Sequence, residues 1–291
     1  MFNHRLVHWA LLPIAMLAAA TMTSAVLAAE AGPEAAQLTV FKADNTNYFA
    51  LGLGPAAAAP TAGPHDVVVV VNTSAAQTGQ FRAEGLAAVK GLLAGLGPQD
   101  RVHLVAVDLS AIPMTQGFVA PKGAEIDEAL AKLQRREPLG STDIEKGLQA
   151  AAASFAGGSN PRAIVYIGDG TSKANVIAPD KLDTLVKTLV DQRIPVTGYA
   201  VGPVLDLQLL GALAAHTGGR LFEGDGADVG AKLAAAAGAA VLWPKADTVR
   251  WPPDFTVIPA RVPPLRSDRD SVVIGTFKGT GPFDVQMTVQ G

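Results

Sequence analysis

The sequence predicts an α/β protein: a doubly wound, mostly parallel sheet covered by helices, with a small additional β domain built from both chain ends. Three observations lead there. Five consecutive valines, Val67 to Val71, make an unbroken β-branched run, which reads as a strand buried on both faces, as in parallel sheets flanked by helices. Beyond that run, strand-like and helix-like segments alternate up to residue 222. Around Trp243 the helical pattern stops, prolines cluster (Pro244, Pro252, Pro253, Pro259, Pro263, Pro264), and only short strand-like pieces follow.

Taken in order, the chain opens with a targeting signal over residues 1–28. Arg5 lies between His4 and His8, an apolar stretch covers 9–20, and the small-residue end Val26-Leu27-Ala28 follows. This is the order of a secretory signal cleaved after Ala28. Pro13, Thr21, Thr23 and Ser24 interrupt a stretch barely long enough to span a bilayer. The expectation is an exported chain, in a periplasmic, cell-envelope or extracellular location, with no membrane span after cleavage. Segment 37–53 holds two strand-like runs, 38–41 and 48–53, and 54–64 is a Pro/Gly/Ala linker.

The α/β domain is expected over 65–240. Its strands are predicted at 67–71, 102–107, 163–167, 196–201 and 220–222, with an edge strand at 114–119 after Pro113. Helices are predicted at 77–96, 124–134, 143–155, 179–192 and 206–216. The C-terminal β segment, 243–291, should contribute strands at 248–251, 255–258, 271–277 and 283–289. Ending directly after a strand, it leaves room for the parent protein to continue.

Composition narrows the function. The net charge of −3 in 291 residues offers no attraction for nucleic acid. The absence of cysteine excludes disulfides, thiolate metal sites and a cysteine nucleophile. A dinucleotide site needs closely spaced glycines after the first strand, and that loop offers only Gly79. Residues 168–173 lack phosphate-loop spacing, and Ser74 is not flanked as G-x-S-x-G. His65, His103 and His216 are scattered in sequence. No enzyme is expected.

Three polar clusters fall where ligands bind in open α/β sheets, at the carboxyl ends of strands. They are Asn72-x-Ser74-x-Ala76, Gly140-Ser141-Thr142-Asp143 and Gly168-Asp169-Gly170. Hydroxyls and a carboxylate gathered there are hard oxygen ligands of the kind Mg²⁺ takes. Ser74 and Thr142 also fit the capping-box pattern, with Gln77 and Glu145 three residues on, so each hydroxyl could serve a helix end instead.

With these loops, the chain resembles the von Willebrand factor type A (VWA) domain and its metal-ion-dependent adhesion site. The resemblance implies a Rossmann-like sheet and a divalent ion, such as Mg²⁺, bound through the three loops and completed by an acidic side chain of a partner. Ser74, Thr142 and Asp169 match the family pattern. Asn72 stands where the family has Asp, and Ala76 where it has a second Ser. The implied site, Asn72, Ser74, Thr142 and Asp169, is therefore degenerate, with weakened or absent metal binding. The expected function is non-enzymatic binding of a protein or envelope component, as in adhesion. The alternative is a purely structural scaffold domain of a larger envelope protein.

Overall fold

The computed structural model describes residues 5–9, 36–44, 46–54, 63–279 and 285–290. The elements begin with β1 (Arg5–Trp9), β2 (Gln37–Ala43) and β3 (Thr46–Leu53). Next come β4 (Asp66–Asn72), α1 (Gly79–Gly95), β5 (Arg101–Val107), β6 (Ala111–Pro113), α2 (Ala124–Arg135), α3 (Ile144–Ala153) and β7 (Arg162–Gly168). They continue with α4 (Pro179–Asp191), β8 (Val196–Ala200), α5 (Leu207–Thr217), β9 (Leu221–Phe222) and α6 (Gly226–Gly238). The last are β10 (Val241–Pro244), a 3-10 turn (Ala246–Thr248), β11 (Phe255–Ile258), β12 (Leu265–Arg266), β13 (Ser271–Phe277) and β14 (Val285–Gln290). Two compact units result, one from Thr61–Ala239 and one from Met1–Pro60 with Ala240–Gly291.

In the first unit the sheet order is β6-β5-β4-β7-β8-β9, parallel except for β6. The valine run explains why β4 is central. Val67, Val69 and Val71 enter the apolar layer that includes α1, α2 and α6, while Val68 and Val70 enter the layer of α3, α4 and α5. All five are at most 5% exposed. Full burial of one such side chain is worth about 1.5–3 kcal/mol, so a strand with two buried faces is held in register by both layers. The doubly wound topology also makes β4 and β7 neighbours, which sets the loops after them side by side.

Two elements of this unit differ from the sequence-based expectation. The edge strand lies at Ala111–Pro113 rather than 114–119, because the amides of Met114 and Thr115 both turn in to the Leu104 carbonyl. Only Val119 returns to the sheet, in an isolated bridge with Val102. Helix α6 was not anticipated. Its stretch is mostly Ala and Gly, with Val229 and Leu233 as large apolar residues, so it carries little apolar periodicity. Its small residues are what let it approach α1. A Cβ added to Gly230 would come within 2.6 Å of the Gly91 Cα.

The second unit contains two antiparallel sheets, ordered β11-β13-β3-β2 and β1-β14-β10-β12. Strand β3, from the N-terminal part, pairs along its length with β13, from Leu53↔Ser271 to Asn47↔Phe277. Phe49, Leu51, Leu53, Val273, Val285 and Met287 share its core. Residues 248–251, read as a strand, instead hold the end of the 3-10 turn and a single bridge from Arg250 to Gln286. Strands β10 and β12 went unrecognised because each is short and stands beside prolines. Residues 5–9, expected as the basic start of a signal, pair as β1 with β14. The rest of the apolar stretch and the Ala28 cleavage position lie outside the described residues. Among the described residues, no helix is long and apolar enough to cross a membrane.

The α1–α6 contact yields a direct test. Gly230→Val must push backbone against backbone, and overpacking of this kind costs about 1–3 kcal/mol. Urea unfolding should show a lowered midpoint with an unchanged slope, whereas a neutral result would mean the helices are not in such close contact.

Candidate functional site

Asn72 is the last residue of β4, and the Thr73 amide just beyond it donates to the Val107 carbonyl at 2.8 Å. The Asn72 side chain is buried and makes three hydrogen bonds. Its Oδ1 accepts from the Ser74 amide and from Thr142 Oγ1, both at 2.9 Å. Its Nδ2 donates to Asp169 Oδ1 at 3.2 Å. Asp169 Oδ1 also accepts from the Thr171 amide at 3.0 Å. One amide thus ties together the loops after β4, before α3 and after β7. The orientation of the amide follows from chemistry, since an N–H must meet an acceptor and a carboxylate must meet a donor.

Backbone bonds hold the same three loops. Leu139 N donates to Thr73 O, Ala75 N to Gly140 O, and Ala174 N to Thr142 O, at 3.2, 3.1 and 3.1 Å. Gly168 permits the close approach of β7 to Asn72, because a Cβ there would lie 2.5 Å from the Asn72 Cβ. Gly170, at φ +79°, turns the loop where an added Cβ would strike the Asp206 carbonyl at 2.8 Å.

Neither hydroxyl caps a helix. Helix α1 begins later than expected, after Thr78, and α3 is capped by Asp143, whose carboxylate accepts from the Lys146 amide at 3.0 Å. The capping reading of Ser74 and Thr142 is therefore overturned, and Thr142 Oγ1 turns to Asn72 instead. The structure thus gathers Asn72, Ser74, Thr142 and Asp169, all at most 3% exposed, whereas Ala76 brings no oxygen.

Two further residues complete the arrangement. Arg136 donates from Nε to Thr73 Oγ1 at 3.0 Å and forms an ion pair with Asp108. The Tyr166 hydroxyl is fully buried beside Asn72 and Gly170, its nearest polar groups, but makes no hydrogen bond of normal geometry with either. Sequence reading missed both residues. Arg136 sits in a loop with no recognisable motif. Tyr166 lies within an apolar strand, and its only signal is a hydroxyl three residues before Asp169.

Burial raises the pKa of Asp169, and the Thr171 hydrogen bonds offset this only in part. It raises that of Tyr166 as well, with a further push from the Asp169 charge. His103 bonds Thr115 Oγ1 at 2.7 Å and the ring of His65 faces Asp100 at 3.7 Å, so both are engaged away from Ser74.

This donor set is a poor match to a divalent cation. The amide nitrogen of Asn72 points at Asp169 and occupies, as a neutral donor, the direction from which a cation would satisfy that carboxylate. Asp108 is paired with Arg136, and Asp143 with its helix end and with Lys146 at 3.4 Å, so neither is free to add charge. Among the described residues, no group of three or more His, Cys, Asp or Glu side chains could hold a metal. Near a surface a unit charge pair is worth ~4 kcal/mol at 4 Å. Losing even about 3 kcal/mol weakens affinity roughly a hundredfold.

Sheet order, flanking helices and converging loops define an α/β domain whose polar loops meet at the strand ends. Residues 65–222 match the von Willebrand factor type A domain family, so the chain belongs to it. Similar solved structures include a von Willebrand factor type A protein from Catenulispora acidiphila, 14% identical with a TM-score of 0.55, covering 84% of this chain and 60% of that one. The ArnB paralog VWA2 from Sulfolobus acidocaldarius is 13% identical with a TM-score of 0.52, covering 84% and 70% of the two chains. Proximal thread matrix protein 1 of the mussel byssus is 17% identical with a TM-score of 0.51, covering 63% and 50%. At these identities the likeness speaks for the fold alone. The chain thus spans 60% of the length of the Catenulispora protein. No curated protein matches the sequence.

The Asp169 environment predicts a pH effect. A carboxyl whose pKa is raised on folding binds protons more tightly in the native state, so its contribution to stability is lost as pH climbs above the ordinary value of 3.8. Asp169→Asn removes that penalty while keeping an oxygen for the Asn72 and Thr171 donors. It should raise Tm at pH 7 and leave Tm nearly unchanged at pH 3. A lower Tm at pH 7 would show that the negative charge itself is needed.

Proposed function

We propose that this chain is an exported, non-enzymatic binding module that engages a protein or envelope component through the loop edge around Asn72, Ser74, Thr142 and Asp169, and that it does so without a tightly bound metal. The observation that carries this reading is the Asn72 amide. Its oxygen accepts two hydrogen bonds and its nitrogen donates to Asp169, so the centre of the edge is closed by hydrogen bonds within the chain. Domains of this family commonly mediate protein interactions, and loops at the strand ends are where this fold presents variable chemistry. Export is supported by the order of basic, apolar and small residues over 1–28.

The same closure supports a second reading, a structural scaffold whose loop edge binds nothing. With its central polar groups mostly satisfied internally, the edge could serve only to brace the three loops.

Restoring the missing groups tests the metal-free reading. The double change Asn72→Asp and Ala76→Ser returns a carboxylate and a hydroxyl to a loop facing Thr142 and Asp169. Mg²⁺ keeps several waters, so few protein oxygens suffice. The double variant should gain Mg²⁺-dependent stability, about 2.7 kcal/mol at a hundredfold excess over Kd. Adding Asp169→Ala should remove the gain. A folded double variant indifferent to Mg²⁺ would count against the proposed relation of these loops to a metal site.

A further inference from the structure

The exposed large apolar side chains of the described residues are not scattered. Leu109, Leu139, Val176, Val204 and Leu207 all lie on the loop edge, and the remaining six belong to β2, β3, β11 and β13 of the other unit. Isolated exposed apolar residues mean little, but a clustered set marks an interaction surface. Hydrogen bonds tie three of the five to the loops around the Asn72 network. Leu139 donates its amide to Thr73, Leu109 gives its carbonyl to Lys146 Nζ, and Asp206, just before Leu207, donates its amide to the Asp169 carbonyl.

On one side this edge opens into a depression of about 510 Å³ lined by Met114, Lys132, Arg135, Arg136, Glu137 and Leu139. Leu109 continues the same surface, since it stands 3.5 Å from where a Gly140 Cβ would be. Three cations and one carboxylate line the depression. Lys132 pairs with Glu128 and Arg136 with Asp108, while the Arg135 guanidinium has no ion pair or hydrogen bond among the described residues. Leu139 is 64% exposed beside it.

Resting on the loop-edge reading above, we propose that the partner is a polypeptide segment that seats aliphatic side chains against Leu139 and Leu109 and sets a carboxylate on Arg135. The acidic group then serves an arginine instead of completing a metal site. A guanidinium offers a planar, always charged fork for a carboxylate, and it needs no cofactor. Apolar anchors beside it supply affinity, while the charge pair fixes orientation and favours acidic over basic partners.

The test uses the purified full chain and a phage-displayed library of random dodecapeptides, panned in parallel in EDTA and in Mg²⁺. Enriched peptides, synthesised with a fluorophore, are then measured by anisotropy on the wild type and on single variants. They should carry two or more large aliphatic residues and an Asp or Glu. Binding should be the same in Mg²⁺ and in EDTA, and should weaken about tenfold or more for Leu139→Asp and for Arg135→Glu. Leu109→Asp provides a second apolar variant, and thermal melting confirms that each exposed-site variant is folded. Lack of enrichment, or peptides that bind Leu139→Asp and Arg135→Glu as well as wild type, would overturn the proposal. If panning succeeds only with Mg²⁺, and the binding is lost in Asp169→Ala, the metal-free reading itself fails. Metal-independent binding insensitive to Leu139 and Arg135 overturns only the docking surface assigned here.

Discussion

Asn72 stands where the most buried strand of the sheet gives way to loop, and its amide must serve three partners at once. A carboxylate in its place could accept from Ser74 and Thr142 but would face Asp169 as a second negative charge. Such a pair needs a cation between its members or a proton on one of them. The amide makes the same contact attractive, because Nδ2 donates to Asp169 at 3.2 Å while Oδ1 keeps both of its donors. One neutral side chain can therefore hold three loops together without help from outside the chain.

That arrangement depends on backbone proximity set elsewhere. Two-sided burial of β4 fixes its register against β5 and β7, so Asn72 emerges opposite the end of β7. The absence of a Cβ at Gly168 brings that strand end against Asn72, and α6 reaches α1 through Gly91 and Gly230. Small residues here act through what they allow to approach. Interiors tolerate little extra volume, so a side chain added at Gly168 would displace the loop edge and one at Gly230 would part α1 from α6.

Much of the fold was legible because its strongest signals are local. The valine run marks a doubly buried strand, and segments such as α2, with Ile126, Ala129 and Leu133 inward, show helical spacing. What escaped notice has weak local signal. Helix α6 packs through alanine and glycine, and β6 is a strand of three residues placed by two amides sharing one carbonyl. At the site, the motif residues could be named from sequence, but not how they are joined. Whether Thr142 caps a helix or bonds Asn72 depends on where α3 begins, and Asp143 takes that role. Arg136 and Tyr166 were invisible for another reason, since the partners of Arg136 are far away in sequence and the Tyr166 hydroxyl makes no hydrogen bond of normal geometry.

The central claim is that hydrogen bonds from a neutral amide stand in for a cation at the meeting point of the three loops. Isothermal titration of the wild-type chain with Mg²⁺ and Mn²⁺ near neutral pH tests it most directly. The account predicts no saturable heat at micromolar to low-millimolar metal, a range that would report a Kd of about 1 mM or tighter. Stoichiometric, tight binding by the wild type, abolished by Asp169→Ala, would contradict it.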